Sequence, residues 1–454
     1  MVNIKKISST DKDFVETLQE CISSRKTNSI KTKNIVKNII EEVRNHRDKA
    51  LIKFSKDLDN FSVKNINELE ISRDMISSSI NKITKEELEA LKFAKKRIQE
   101  FSNKQKLKSW EYTSEGIKLG EKISPISKVG IYVPGGCAVY PSSVLMNAVP
   151  AKVAGVNEII MVVPSPNGEV NNLVLAAAFL AGVDRVFRIG GAHAVAALAF
   201  GTKTIPKVDM IVGPGNQFVA EAKKELYGDV GIDNFAGPSE ILVIADSSAK
   251  ISWIASDLFA QAEHDQLAQS ILISPDNDLL KKVEEFMLEK ISSLDRSDII
   301  KSSLNNFGIF IKCKNIEEAI KISNELAPEH LQLSVKDGNK YVDKIENAGA
   351  IFIGENRPMV FGDYCVGTNH VLPTVGTAKF SSPLGVYDFQ KRSNVIQCSE
   401  ESSKILSKHA AIIANAEGLS SHKESATLRN YKENSKGIYK SRLKQIYYLI
   451  INLL

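Results

Sequence analysis

The sequence predicts an α/β protein: two incomplete Rossmann-like parallel-sheet domains, preceded by an N-terminal helical region and followed by a helical C-terminal tail. Short apolar runs alternate with helical patterns from Val129 onward, and a Gly or Pro follows each early run. That punctuation belongs to βα units of a parallel sheet. The runs fall into two series, divided near the turn Ala236-Gly237-Pro238-Ser239. At 454 residues the chain is also too long for one ordinary core, since domains usually hold roughly 100–200 residues.

Residues 26–106 read as the helical region, with apolar positions at Ile35, Ile39, Ile40 and Val43, then at Ala90, Leu91, Phe93, Ala94 and Ile98. Residues 107–240 hold the first α/β domain, with strands expected at Val129–Val133, Glu158–Val163, Arg185–Ile189 and Val208–Val212. Residues 241–383 hold the second, with strands at Ile241–Ala245, Ser270–Ser274, Gly308–Lys312, Leu331–Val335 and Ala350–Gly354. After Pro383 the strand signal fades. The tail, 384–454, reads as helices around Glu400–Ala414 and Ser420–Tyr431. Such a tail has little core of its own and needs a surface to pack on, for which a partner subunit is the natural candidate.

Composition is that of a globular protein, 43% hydrophobic and 25% charged, with a mild net charge of +5. The basic runs Lys95–Lys108 and Tyr431–Lys444 are interleaved with polar and apolar residues, so they read as solvated helix faces rather than a nucleic-acid patch. Five scattered cysteines, none in a CxxC pair, point to a reducing compartment without a disulfide framework. The polar start, Met1 to Phe14, lacks the apolar core of a signal peptide, and the longest apolar stretches are too short to span a bilayer. A cytoplasmic protein without membrane or nucleic-acid partners is expected.

Four of the seven histidines stand near carboxylates in the C-terminal half: Glu263-His264-Asp265, Glu329-His330, Asp363 before His370, and Glu417 before His422. Imidazole beside carboxylate suits metal binding and proton transfer. Gln261 and His264, three apart on a helical pattern, could converge on one point or be the polar end of a helix. Asp363 and His370 lie in a glycine-bearing loop soon after the last strand, where α/β ligand loops gather at carboxyl strand ends. Pro328 ends the preceding helix, leaving Glu329 and His330 on a turn suited to stepwise proton transfer, or simply on a solvated turn. Gly213-Pro214-Gly215-Asn216 begins like a dinucleotide fingerprint, but Phe218 replaces the third glycine. Asp233 lies at about ribose distance without closing a clear strand. The turns at Gly135-Gly136 and Gly190-Gly191 could also bring a phosphate to a helix N-terminus.

Together these segments resemble the histidinol dehydrogenase family, from about Val36 to Arg429. The resemblance rests on Tyr132-Val133-Pro134-Gly135-Gly136, Gly213-Pro214-Gly215-Asn216, Ala236-Gly237-Pro238-Ser239-Glu240, Gln261-Ala262-Glu263-His264-Asp265 and Ala327-Pro328-Glu329-His330-Leu331. It rests further on Gly362-Asp363-Tyr364, Asn369-His370-Val371-Leu372-Pro373-Thr374, and Glu417-Gly418-Leu419 with His422. It implies one zinc per subunit on Gln261, His264, Asp363 and His422, a catalytic acid/base pair Glu329 and His330, and substrate contacts at Ser239, His370 and Glu417. The zinc ligands and His330 would also face the substrate. It implies NAD contacts at Tyr132, Asn216 and His193, the last standing where the family usually carries Gln. Glu417 and His422 would come from the other subunit of a homodimer with shared sites.

The implied reaction takes L-histidinol through the aldehyde to L-histidine while two NAD are reduced. Zinc would orient the imidazole and amino nitrogens of the substrate, borderline donors that suit it. His330 would take the hydroxyl proton, and Glu329 would activate the water that attacks the aldehyde. One rival is a paralogue acting on another polar alcohol, against which Ser239, Glu417 and Phe380-Ser381-Ser382-Pro383-Leu384 lean. Another is a thiolate aldehyde dehydrogenase using Cys137, and a third is a binding protein with a structural zinc, disfavoured by a thiolate-free ligand set. The basic end, Tyr431 to Leu454, is longer and more apolar than the family pattern, and its role stays open.

Overall fold

A computed structural model describes residues 2–23, 30–135, 139–234, 237–354 and 356–429. Cys137 and the end from Tyr431 lie outside the described residues. The chain opens on β1 (Lys5–Ser8), passes through helices interrupted by β2 (Glu70–Ile71), and enters a hairpin of β3 (Trp110–Ser114) and β4 (Ile117–Pro125). A first series follows: β5 (Lys128–Tyr132), β6 (Glu158–Val162), β7 (Arg185–Phe187), β8 (Met210–Val212) and β9 (Gly231–Ile232). The second is β10 (Glu240–Ala245), β11 (Gln269–Ser274), β12 (Ile309–Lys312), β13 (His330–Ser334) and β14 (Ala350–Ile353), before β15 (Gln390–Cys398).

The first sheet runs β2-β7-β6-β5-β8-β9 and the second β1-β12-β11-β10-β13-β14. Apart from antiparallel β2, every pairing in both is parallel. Each series starts at the centre and builds two strands to either side, with β2 or β1 from the N-terminal part of the chain closing one edge, so the order reverses at β5/β8 and at β10/β13. Such a switch point opens a crevice for ligands in doubly wound sheets.

The strands are near-continuous apolar runs because helices cover both faces. In β10 all six residues are buried: Ile241 and Val243 enter one core, Leu242 and Ile244 the other. That alternation is the two-residue strand period. Around the first sheet, Val129 and Ile131 meet the helices Pro141–Ala154 and Asn172–Ala181, while Ile160 and Val162 meet Gly191–Phe200. The helix Ile316–Leu326 starts at the Asn315 cap, whose side chain accepts from the Glu318 amide, and ends at Ala327 in the left-handed region.

Several boundaries differ from the sequence reading. The helices of the N-terminal region do not form a body of their own. Ile30–His46 buries Val36, Ile40 and Val43 on one face of the first sheet, and Lys85–Gln105 buries Leu91, Ala94 and Ile98 on the other. Strand β1 was not foreseen, since a short edge strand carrying two lysines has no apolar run to reveal it. Residues 107–124, expected to open the first α/β domain, separate with residues 392–429 into a second compact unit. That unit holds a sheet of order β15-β4-β3 and the helices Glu400–Ala416 and Ser420–Leu428. The nine-residue β15 contradicts the fading strand signal after Pro383; its exposed, polar Gln390-Lys391-Arg392-Ser393-Asn394 start lacks apolar alternation. No helix among the described residues is long and apolar enough to cross a membrane.

Candidate active site

Glu329 and His330, the candidate acid/base pair, sit at the amino ends of β10 and β13, beside the second sheet's reversal of order. His330 is the first residue of β13, paired in register with Ile241, and Glu329 directly precedes it. Both are buried, at 4% and 6% exposure, which removes the solvated-turn reading.

Glu329 is locked by a reciprocal exchange with Glu240, the first residue of β10. The Glu240 amide donates to Glu329 Oε2 at 2.8 Å, and the Glu329 amide donates to Glu240 Oε1 at 3.2 Å. Glu240 Oε1 also accepts from the Val375 amide at 3.0 Å. The sequence reading gave Glu240 no role, although it closes the Gly237-Pro238-Ser239-Glu240 turn. Ser239, half-buried, precedes it, and its carbonyl accepts from the Gln269 amide.

His330 Nδ1 lies 3.0 Å from the Glu240 carbonyl and 3.6 Å from Glu329 Oε2, and Nε2 lies 3.4 Å from Asp363 Oδ1. A neutral imidazole so placed donates from Nδ1 and keeps its lone pair on Nε2. Burial works against a charged ring, but the Glu329 charge and the Asp363 hydrogen bond outweigh it and hold His330 well above its ordinary value. Burial would raise the Asp363 carboxyl; the His330 contact, with His370 and His264 behind it, instead holds it below the usual range.

Asp363 lies in the short helix Val360–Tyr364, where Gly362 packs so closely on Phe352 that a Cβ would come within 2.7 Å of the ring. The Asp363 carbonyl is 2.7 Å from His370 Nδ1, and His370 Nε2 is 3.4 Å from Ser143 Oγ, a neighbour the sequence did not suggest. Burial lowers His370, against the pull of Asp363. Glu329, His330, Asp363 and His370 are thus brought together.

The helix Ile251–Ala262 ends before His264, so Gln261 and His264 do not share a continuous helix face; a turn joins them instead, the His264 amide donating to the Gln261 carbonyl. Gln261 is 1% exposed and neither its amide oxygen nor its nitrogen has a partner. His264 Nδ1 lies 2.8 Å from the Ala260 carbonyl, which directs its lone pair to Nε2. Among the described residues no three His, Cys, Asp or Glu side chains stand grouped to hold a metal. Glu417 and His422 belong to the second unit, Glu417 capping the helix Glu400–Ala416 and His422 within Ser420–Leu428, both exposed.

The residues expected at NAD follow carboxyl ends of first-sheet strands: Tyr132 ends β5, while His193 lies in the helix after β7 and Asn216 at the start of the helix after β8. The Tyr132 hydroxyl accepts from the Gly191 amide at 3.0 Å, and burial, opposed by that bond and aided by the Asp59 charge, pushes it up to about 12. Asn216 caps the helix Gln217–Leu226, its Oδ1 accepting from the Phe218 and Val219 amides at 3.0 and 3.2 Å. His193 is 1% exposed inside Gly191–Phe200, tilted against Phe54 with ring centroids 5.3 Å apart. Both its ring nitrogens lack partners, and burial pulls it down to about 4. Asp59, also unforeseen, has an unpartnered buried oxygen and is raised to about 6 by burial.

A doubly wound α/β architecture with a buried His between carboxylates defines a candidate enzyme of acid/base chemistry. The sequence profile of the histidinol dehydrogenase family matches residues 22–430. The chain is 49% identical over 435 residues to a histidinol dehydrogenase of Pseudomonas fluorescens, covering 96% of this chain and 98% of that one. It is 51% identical over 430 residues to one of Nitrosomonas europaea, covering 94% of this chain and all of the other. A crystal structure of histidinol dehydrogenase from Elizabethkingia anophelis superposes with a TM-score of 0.89 at 33% identity, covering 94% of this chain and 98% of that one. The chain therefore belongs to the histidinol dehydrogenase family, and it is an oxidoreductase.

Proposed function

We propose that this chain oxidises L-histidinol through L-histidinal to L-histidine with NAD and zinc, completing histidine biosynthesis. The observation that carries the reading is His330, buried between Glu329 and Asp363 with its Nδ1 fixed by the Glu240 carbonyl. The residues present fit a zinc ion: Gln261 has a buried amide without a partner, His264 keeps its lone pair on Nε2, and Asp363 stays ionised. Bound to these residues with His422, zinc would supply a Lewis acid for the substrate's imidazole and amino nitrogens. NAD would accept one hydride at each oxidation, held by Tyr132, His193 and the amide nitrogen of Asn216.

His330, neutral in the reacting form of the enzyme, takes the hydroxyl proton on Nε2 as hydride leaves the carbinol carbon, giving the aldehyde. Glu329, held by the Glu240 amide, takes a proton from the water whose oxygen adds to that aldehyde. The imidazolium of His330 returns its proton to the carbonyl oxygen as the water adds, giving the hydrate; the neutral ring then takes a hydrate proton as the second hydride departs, and the acid ionises so that carboxylate leaves with two NADH formed. Ser239 and His370 flank the substrate, and His370 is oriented by the Asp363 carbonyl.

Glu417 and His422 complete the site from a second copy of the chain. Support comes from the apolar side chains the second unit leaves exposed: Ile396, Ile405, Ile412 and Ile413 are each 59% exposed or more. Single exposed residues need no explanation, but such a concentration marks a contact surface.

The roles are tested by assaying Glu329→Gln and His330→Asn on histidinol and on histidinal separately. Glu329→Gln is expected to keep alcohol oxidation and lose aldehyde oxidation, by about 10²–10⁴-fold as for a general base. The opposite pattern would reverse the assignment. A purely structural metal would instead leave turnover intact after chelation.

A further inference from the structure

The pair Lys223 and Asp233 lies outside the chemistry above, yet it is among the most enclosed charge in the molecule, each side chain 2% exposed. Lys223 Nζ donates to Asp233 Oδ1 and, at 3.0 Å, to the Gly213 carbonyl. Asp233 Oδ2 accepts from the Gly213 amide at 2.7 Å. Both peptide groups of one glycine are therefore gripped by one ion pair.

Gly213 is the pivot between β8 and the Pro214-Gly215-Asn216 turn. Its φ is +107, and a Cβ there would come within 2.1 Å of the Tyr132 carbonyl oxygen, so the turn lies directly on the end of β5. Gly215 packs as tightly on Val219, within 2.4 Å. Burying two charges costs more than their attraction returns unless the geometry is tight and the remaining polar atoms are bonded. Here those bonds all go to Gly213. With Oδ1 on Lys223 and Oδ2 on the Gly213 amide, Asp233 is committed to the turn rather than to a ribose, contrary to its spacing in the sequence.

We infer that Lys223 and Asp233 are positioning residues for the cofactor: they fix the Gly213–Asn216 turn against Tyr132 before NAD arrives. This rests on the reading that Tyr132 and Asn216 meet NAD. A loop ordered in advance loses less freedom on binding, so the clamp acts on cofactor affinity and leaves the substrate site of the second sheet alone.

The test uses two neutral double variants of the full-length dimeric enzyme. Lys223→Gln/Asp233→Asn keeps a donor and an acceptor for Gly213, whereas Lys223→Met/Asp233→Asn removes the donor. The Met variant is expected to raise KM for NAD by about tenfold, the loss of one buried bond. Its KM for histidinol and its kcat should stay within about twofold, and the Gln variant should recover most of the NAD affinity. Unchanged KM for NAD in a folded Met variant, or an equal rise for both substrates, overturns the clamp. If neither variant folds, amide exchange in the cofactor-free wild type decides: strong protection at Gly213 supports it, and exchange at the free-loop rate sinks it. Wild-type enzyme that reduces no NAD would fail the underlying reading as well, which separates the two failures.

Discussion

Replacing Gln261 by Leu should stabilise the zinc-free protein while weakening its response to zinc. The side chain is 1% exposed and neither amide atom has a partner, and an unmet buried polar group costs about 1–3 kcal/mol. Leucine removes that cost at nearly the same volume. With unfolding entropy of about 2.1 cal/mol/K per residue, a cooperative chain of 454 residues would gain about 1–3 °C in Tm. Zinc at a hundred times its Kd should add about 2.7 kcal/mol to wild type, and the variant, short of one ligand, should gain less. Thermal unfolding in chelator and in zinc therefore predicts a reversal of order between the two proteins. A variant less stable than wild type in chelator, or an equal zinc shift in both, would refute the reasoning that this amide is held in reserve for a metal.

Glu240→Ala should lower kcat by about 10–100-fold with little change in KM, because the Glu329 and Val375 amides lose their acceptor at about 1–3 kcal/mol each; Glu240→Gln, which keeps an acceptor oxygen, should retain most activity in the same steady-state assay. His193 ionises at about 4 in the fold against about 6.5 when unfolded. The unfolded chain thus binds the extra proton between those values, and stability falls as pH drops through that window, by about 3 kcal/mol in full. Urea unfolding across pH should show a flatter acid limb for His193→Gln; an unchanged limb would remove His193 as its cause. If the proposed dimer forms through this face, Ile405→Asp with Ile412→Asp should give an inactive monomer by light scattering, and an active monomer would contradict shared sites.

Much of the architecture was legible because parallel strands covered on both faces must be apolar along their whole length. Ile241–Ala245 and Ser270–Ser274 needed only that rule, and Pro328 marked the end of the helix between β12 and β13. What escaped was structure held by its neighbours. Lys5–Ser8 and Gln390–Cys398 are exposed edge segments whose strand state comes from pairing, not from composition. Glu329 and His330 were legible as a pair, but their burial depends on Glu240, about ninety residues away, and no local pattern encodes a reciprocal amide–carboxylate exchange. Asp233 misled for the same reason: its distance along the chain suited a ribose, while its neighbours in space were Lys223 and Gly213.

The central claim is that the buried Glu329–His330 pair works beside a zinc held by Gln261, His264, Asp363 and His422 to carry both oxidations. Its most direct test is NADH formation from L-histidinol by purified enzyme, before chelation, after it, and after zinc is restored, with the dimer monitored throughout. Two NADH for each histidinol, lost on chelation from an intact dimer and regained with zinc, is the expected result; one NADH per histidinol, or full turnover in chelator, would contradict it.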